Sequence, residues 1–98
     1  MDRRVSHRMD KVNSEMQKEL SKILNSELRN PLLDDAVITV TEVQTSPDFS
    51  SAKVYVSVLN SSLTQDEVLR ELKEASGFIK RRISEELKLK RIPALTYI

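Results

Sequence analysis

An α+β domain of order helix, strand, strand, helix, strand is what this sequence of 98 residues predicts. Three observations carry that expectation. Two long stretches, one early and one late, repeat apolar residues at helical spacings of three and four. Between them lie two β-branched runs separated by a Ser-Pro-Asp turn. A short apolar run follows Pro93. The length suits a single domain over residues 1–98, and no repeat, linker or low-complexity tract divides it.

The first helix is expected over residues 5–28. Val5, Met9, Val12, Met16, Leu20, Ile23, Leu24 and Leu28 form its apolar stripe. Ser6 is placed as its N-cap and Asn30 as its C-terminal cap, since Pro31 forbids continuation. Residues 32–36 connect to a strand over residues 37–43 that is β-branched at nearly every position. Ser46-Pro47-Asp48 is a turn. In the next strand Ala52, Val54, Val56 and Val58 share one face, and Lys53, Tyr55, Ser57 and Leu59 the other. A short turn between adjacent strands makes an antiparallel hairpin. After Asn60-Ser61-Ser62, Thr64 and Glu67 have the spacing of a capping box. Val68, Leu72, Ala75, Ile79, Ile83 and Leu87 then mark a helical stretch from residue 65 to about residue 89. Pro93 ends it, and residues 94–98 read as a third strand.

Composition removes whole classes of chemistry. There is no cysteine, hence no disulfide, thiolate metal site or cysteine nucleophile. His7 is the lone histidine, which leaves no histidine metal cluster. One glycine is too few for a phosphate-binding loop or a dinucleotide fingerprint. No metal, cofactor or small-molecule substrate is expected. The first residues have no apolar core of a signal peptide, and no run approaches the ~20 apolar residues of a membrane span. The expectation is a cytoplasmic monomer with no membrane contact.

The one glycine, Gly77, falls inside the second helical stretch, flanked as Ala75-Ser76-Gly77. Glycine there costs ~1 kcal/mol relative to alanine. Gly/Ser pairs are a known cause of kinks, so the stretch is expected to divide there into two helices. The plainer alternatives are a tolerated weak point or a close contact with the sheet. Division at Gly77 also separates charge. Residues 78–98 hold six basic and two acidic side chains, residues 12–77 hold six and eleven, and residues 1–11 hold four and two. On a helical wheel Ile79, Ile83 and Leu87 group together, with Lys80, Arg81, Ser84 and Lys88 toward the opposite side. Arg82 sits at the boundary, in reach of Glu86 at i,i+4. Lys90 and Arg91 extend the positive run. A basic excess over so short a segment points to a polyanion, although cations also suit a helix C-terminus. The first helix carries Arg4, Lys11, Lys18 and Lys22 on one stripe, interleaved with Glu15 and Glu19, which reads as a solvated face.

Taken together, these stretches resemble the ribosome-binding factor A family. The resemblance is carried by Arg8 with the helix to Leu28, by Asn30-Pro31, and by Val40-Thr41-Glu42-Val43. It continues through the run from Ser46 to Ser57, Ala75-Ser76-Gly77-Phe78-Ile79-Lys80, and Leu89-Lys90-Arg91-Ile92-Pro93-Ala94-Leu95. It implies a type II KH-like fold of order α-β-β-α-(kink)-α-β, a three-stranded sheet with helices packed on one face. Ala75, Ser76 and Gly77 match the family's Ala-x-Gly kink. True KH domains clamp nucleic acid with a GXXG loop, which this chain cannot form. The resemblance implies a non-enzymatic factor that binds the free small (30S) ribosomal subunit and its 16S rRNA, with ribosomal proteins nearby. Its role would be late maturation, including rRNA 5′-end processing. Members commonly continue beyond the position of Ile98. Phosphate contacts are assigned to Lys80, Arg81, Lys88, Lys90 and Arg91, with Arg3, Arg4, Arg8 and Lys11 as a weaker second patch.

Other readings stand beside this one. A stand-alone KH-like module with a different RNA target shares every feature. An enzyme would need a positioned base, and His7 lies in a charged turn without partners in sequence. Asp34-Asp35 reads as turn chemistry, and Glu85-Glu86 as adjacent helical residues that do not converge. A protein-binding sheet face would use Thr39, Thr41, Lys53 and Tyr55. Stacking aromatics are scarce: Tyr55 and Tyr97 are exposed by pattern, and Phe78 is ambiguous. That favours contact with RNA shape and phosphates over single-strand sequence.

Overall fold

The computed structural model describes residues 3–28, 30–88 and 91–98, with side chains from residue 9 onward. Helix α1 (Arg3–Lys22) continues into a π turn (Ile23–Glu27), and a 3-10 turn (Pro31–Leu33) leads to strand β1 (Val37–Thr45). Strand β2 (Ser51–Leu59) follows, then helices α2 (Gln65–Glu74) and α3 (Ser76–Leu87), and strand β3 (Ala94–Tyr97). The sheet order is β1-β2-β3, antiparallel between β1 and β2 and parallel between β2 and β3. The helices pack on one face, which is the type II KH-like arrangement. Met16, Leu20 and Ile23 of the first helical segment meet Ile38, Val40 and Val43 of β1 and Ala52, Val54 and Val56 of β2. Val68 and Leu72 of α2, Ile79 and Ile83 of α3, and Tyr97 of β3 complete the core.

Several expectations need correction. Ser6 does not cap α1, because the helix already runs from Arg3. The helix does not stay α-helical to Leu28: the Leu28 amide bonds five residues back, to the Ile23 carbonyl at 2.8 Å. Asn30 caps the following turn instead, accepting from the Leu32 amide at 3.0 Å. It also donates to Glu71 of α2 at 2.8 Å.

Alternation in β1 is broken by a bulge. Val40 pairs with Val56 and Glu42 with Tyr55, so Thr41 is the extra residue. That shift is why Ile38, Val40 and then Val43 point inward. The hairpin turn holds Phe49 at φ 60°, a left-handed conformation that bulky residues rarely adopt. The Phe49 amide donates to the Ser46 carbonyl at 2.9 Å. The Asp48 carboxylate accepts from Ser46 Oγ at 2.8 Å, Ser50 N at 3.0 Å and Ser50 Oγ at 2.7 Å.

The capping box forms in full, with Thr64 and Glu67 bonding each other's backbone amides. The helical stretch does divide, but at Ala75, whose φ is −88° and ψ 5°. Gly77 lies inside the first turn of α3, without positive φ. It makes no close approach to the sheet, because a Cβ added there would meet nothing within 4 Å. Among the described residues no helix is long and apolar enough to cross a membrane.

Candidate nucleic-acid interface

The basic segment is built on α3. Ile79 and Ile83 are fully buried, which fixes the helix rotation. Lys80 is then half-buried and Arg81 exposed. The Arg81 guanidinium lies 5.8 Å from the centre of the Phe78 ring, a cation–π arrangement that lays the side chain along the helix surface. Phe78 itself is half-buried against the core. Lys88 ends the helix in the left-handed region at φ 52°, its amide bonded to the Ser84 carbonyl at 2.9 Å. The chain leaves α3 at this residue, so Lys88 departs from the wheel position its number implies. Arg91 is exposed, and Lys90 lies outside the described residues.

Arg82 is spent differently. It reaches Glu86 at 3.0 Å as its spacing predicts, Glu85 at 2.7 Å, and Glu27 at 2.6 Å. These bonds, led by the one to Glu27, hold its pKa above the usual arginine value. The Glu27 contact spans 55 residues of sequence and ties α3 to the π turn. Three carboxylates around one guanidinium take Arg82 out of the free positive charge.

The two ends of the sheet separate the basic residues. Glu27 follows Asn25, which bonds Ile38 at the end of β1 remote from the hairpin turn. Arg82 is therefore anchored at that end, with Lys80 and Arg81 beside it in sequence. Arg91 stands three residues before Ala94, whose amide bonds the Ser50 carbonyl at the hairpin turn. Asn13 bonds Thr45 at this same end, and exposed Lys11 precedes it on α1. The fold thus brings Arg91 and Lys11 to one end of the sheet, and leaves Lys80 and Arg81 toward the other. Arg3, Arg4, Arg8 and His7 are in the sequence of α1, but their side chains lie outside the described residues.

The aromatic expectations change as well. Tyr97 is 9% exposed and belongs to the core, so it offers no stacking surface. Burial pushes its phenol pKa well above the usual value. Tyr55 is half-buried on the open sheet face, its hydroxyl donating to Gln44 at 3.4 Å. Phe49, half-buried and outside the core cluster, was not anticipated. Its sequence signal was its place directly after Ser46-Pro47-Asp48, in a turn between two strands. Also unanticipated were Arg70 and Lys73, which with Asp66 line a groove between α2 and β3. Their one-turn spacing is visible in sequence, but the groove exists only once β3 docks.

Comparison with known proteins gives a consistent result. The family model described as ribosome-binding factor A matches residues 8–98. A ribosome-binding factor A from Agathobacter rectalis is 35% identical over 88 residues, 90% of this chain and 72% of that protein. One from Chlamydia pneumoniae is 37% identical over 92 residues, covering 94% of this chain and 77% of that protein. The solution structure of a putative ribosome-binding factor A from Thermotoga maritima superposes with a TM-score of 0.80 at 33% identity, covering 95% and 87% of the two chains. A Thermus thermophilus ribosome-binding factor A, a homology model fitted into a cryo-EM map of a 30S complex, gives a TM-score of 0.71 at 24% identity, with 87% of each chain covered.

Proposed function

The chain belongs to the ribosome-binding factor A family, and we propose that it binds the free small ribosomal subunit as a non-enzymatic assembly factor. The observation that carries this is the match over residues 8–98 to a family named for ribosome binding. The relative fitted into a map of a 30S complex supports the same partner. The work is done in the cytoplasm on 16S rRNA late in maturation, and it includes processing at the rRNA 5′ end. Lys80, Arg81, Lys88, Lys90 and Arg91 meet rRNA phosphates, and Arg3, Arg4, Arg8 and Lys11 form the weaker second patch.

The chemistry is electrostatic. Each lysine or arginine that meets a phosphate releases condensed counterions, so affinity falls as salt rises, by a slope of about −0.9 per phosphate on a duplex. Glu85 and Glu86 lie on the same helix and both bond Arg82, so neither side chain is paired with Lys80 or Arg81. Arginine and lysine strung along an elongated domain suit a folded RNA surface better than a single extended strand.

The test is sedimentation with free small subunits and with whole ribosomes across a salt series. Reversing Lys80, Arg81 and Lys88 to glutamate is expected to weaken binding strongly and to flatten the slope, with little change in melting temperature. Reversing exposed Lys18 and Lys22 is the control, because Glu15 and Glu19 already lower the potential there. If the control abolishes binding and the triple variant binds normally, the rRNA lies on another side of the domain. Binding to naked RNA without co-sedimentation favours a module with a different RNA target.

A further inference from the structure

Among the described residues no strand pairs with the outer edge of β3. β3 bonds β2 through alternate residues: Ala94 N–H donates to Ser50 O at 3.0 Å, Ile98 N–H to Val54 O at 2.8 Å, and Val56 N–H to Ile98 O at 2.9 Å. In a parallel ladder the intervening residues face away. The N–H and C=O groups of Leu95 and Tyr97 therefore point outward, and no described residue bonds them. Beside this edge runs a groove of about 640 Å³ against α2. Leu69, Leu95 and Tyr97 give it an apolar lining, and exposed Asp66, Arg70 and Lys73 give it charge. Tyr97 keeps a buried hydroxyl without a hydrogen-bond partner.

We propose that the β3 edge captures an extended peptide segment of a partner protein, which adds a fourth strand and sets an acidic side chain against Arg70 and Lys73. Outward donors and acceptors two residues apart match the repeat of an extended backbone, about 6.5–7 Å. Strand addition to an exposed edge is a recurrent mode of peptide capture, with alternate side chains entering the adjoining groove. Peptide fits better than RNA for two reasons. The α2 segment carries four acidic and two basic residues, an unfavourable field for a polyanion. The one aromatic lining the groove, Tyr97, is buried and offers no stacking face. The inference stands apart from small-subunit binding through the basic residues of α3, and either can fail without the other.

The test titrates isotopically labelled full chain with an acetylated, amidated hexapeptide, Thr-Val-Asp-Val-Thr-Val, and separately with hexauridylate. The expected result is that the Leu95 and Tyr97 amides shift and become protected from exchange, with Thr96 unaffected because it already serves β2. Leu95→Pro removes an outward donor and spares the β2 ladder, and should weaken peptide binding about tenfold or more. Arg70→Glu with Lys73→Glu should do likewise, and replacing the peptide aspartate by lysine should restore binding. The charge pair keeps the proposal testable if Leu95→Pro fails to fold. Amides of Leu95 and Tyr97 unmoved at millimolar peptide would overturn it. So would unchanged binding in the Arg70/Lys73 variant, or protection of the same amides by hexauridylate in place of the peptide.

Discussion

At β1, helix α1 and the π turn after it lend side chains to the outer edge of the sheet. Asn13 Oδ1 accepts from the Thr45 amide at 3.1 Å and hydroxyl at 2.6 Å. Gln17 donates to the Val40 and Thr41 carbonyls at 3.1 and 3.3 Å. Asn25 takes both backbone groups of Ile38, accepting from its amide at 3.0 Å and donating to its carbonyl. At β3, no described side chain of α2 bonds the outward groups of Leu95 or Tyr97. One flank is thus closed by an amide stripe at i,i+4 spacing, and the other is left open beside a charged groove. An exposed strand edge invites pairing unless it is covered. Closing one edge while leaving the other short and open restricts any added strand to a single place.

The comparison is broken most severely at Asn25. Asn25→Ala removes both bonds to Ile38 and a third from Nδ2 to the Ser21 carbonyl at 2.9 Å. The expected cost is about 1–3 kcal/mol, the range for partly buried backbone groups left without partners. It is read as a lower urea midpoint with unchanged slope, and as faster exchange of the Ile38 amide. An unchanged midpoint means that water closes the β1 edge as well as Asn25 does, and the contrast between the edges collapses.

A second test acts on the hairpin turn, which both edges share. The Ser50 hydroxyl, then the Ser50 amide and the Ser46 hydroxyl, hold the Asp48 pKa down to about 2. The folded state therefore resists protonation more than the unfolded state, whose aspartate titrates near the ordinary 3.8. The stabilisation is complete above about pH 4 and is lost as pH falls toward about 2. Asp48→Asn should be less stable than the parent at neutral pH, and the gap should narrow over that acid window. Loss should appear in exchange at both Thr45 and Ala94, because the Ser50 carbonyl also anchors β3. A gap independent of pH would remove the carboxylate from the account.

Much of this was legible in sequence, and the failures share a cause. The capping box, the hairpin, the buried faces of both long helices and the Arg82–Glu86 pair follow from spacing within a few residues. Asn13, Gln17 and Asn25 drew no assignment from sequence, because their role depends on β1 lying beside them. Glu27 could not be assigned to Arg82 for the same reason. Thr41 was visible in principle, since Val40 and Val43 cannot share a face of an unbulged strand. Tyr97 was misplaced because β3 turns Tyr97, and in part Leu95, toward the helix side, which depends on which face of the strand docks. The basic residues were found by charge, but their division between two ends of the domain is a product of the fold.

Gly77→Ala should give the smallest effect, with opposite sign. Gly77 is exposed, has no positive φ, and a Cβ there meets nothing within 4 Å. The substitution therefore costs no contact, and it reduces the freedom of the unfolded chain. A gain of about 0.5–1 kcal/mol in urea unfolding is expected. The break between α2 and α3 should persist, because Ala75 makes it: its amide still bonds Glu71, and its carbonyl accepts from Ile79 at 3.1 Å. Small-subunit binding should then be unchanged. A stabilised variant that loses binding would mean that glycine at this position serves a bend the free protein does not display. A destabilised variant would mean that the first turn of α3 is more crowded than its geometry allows.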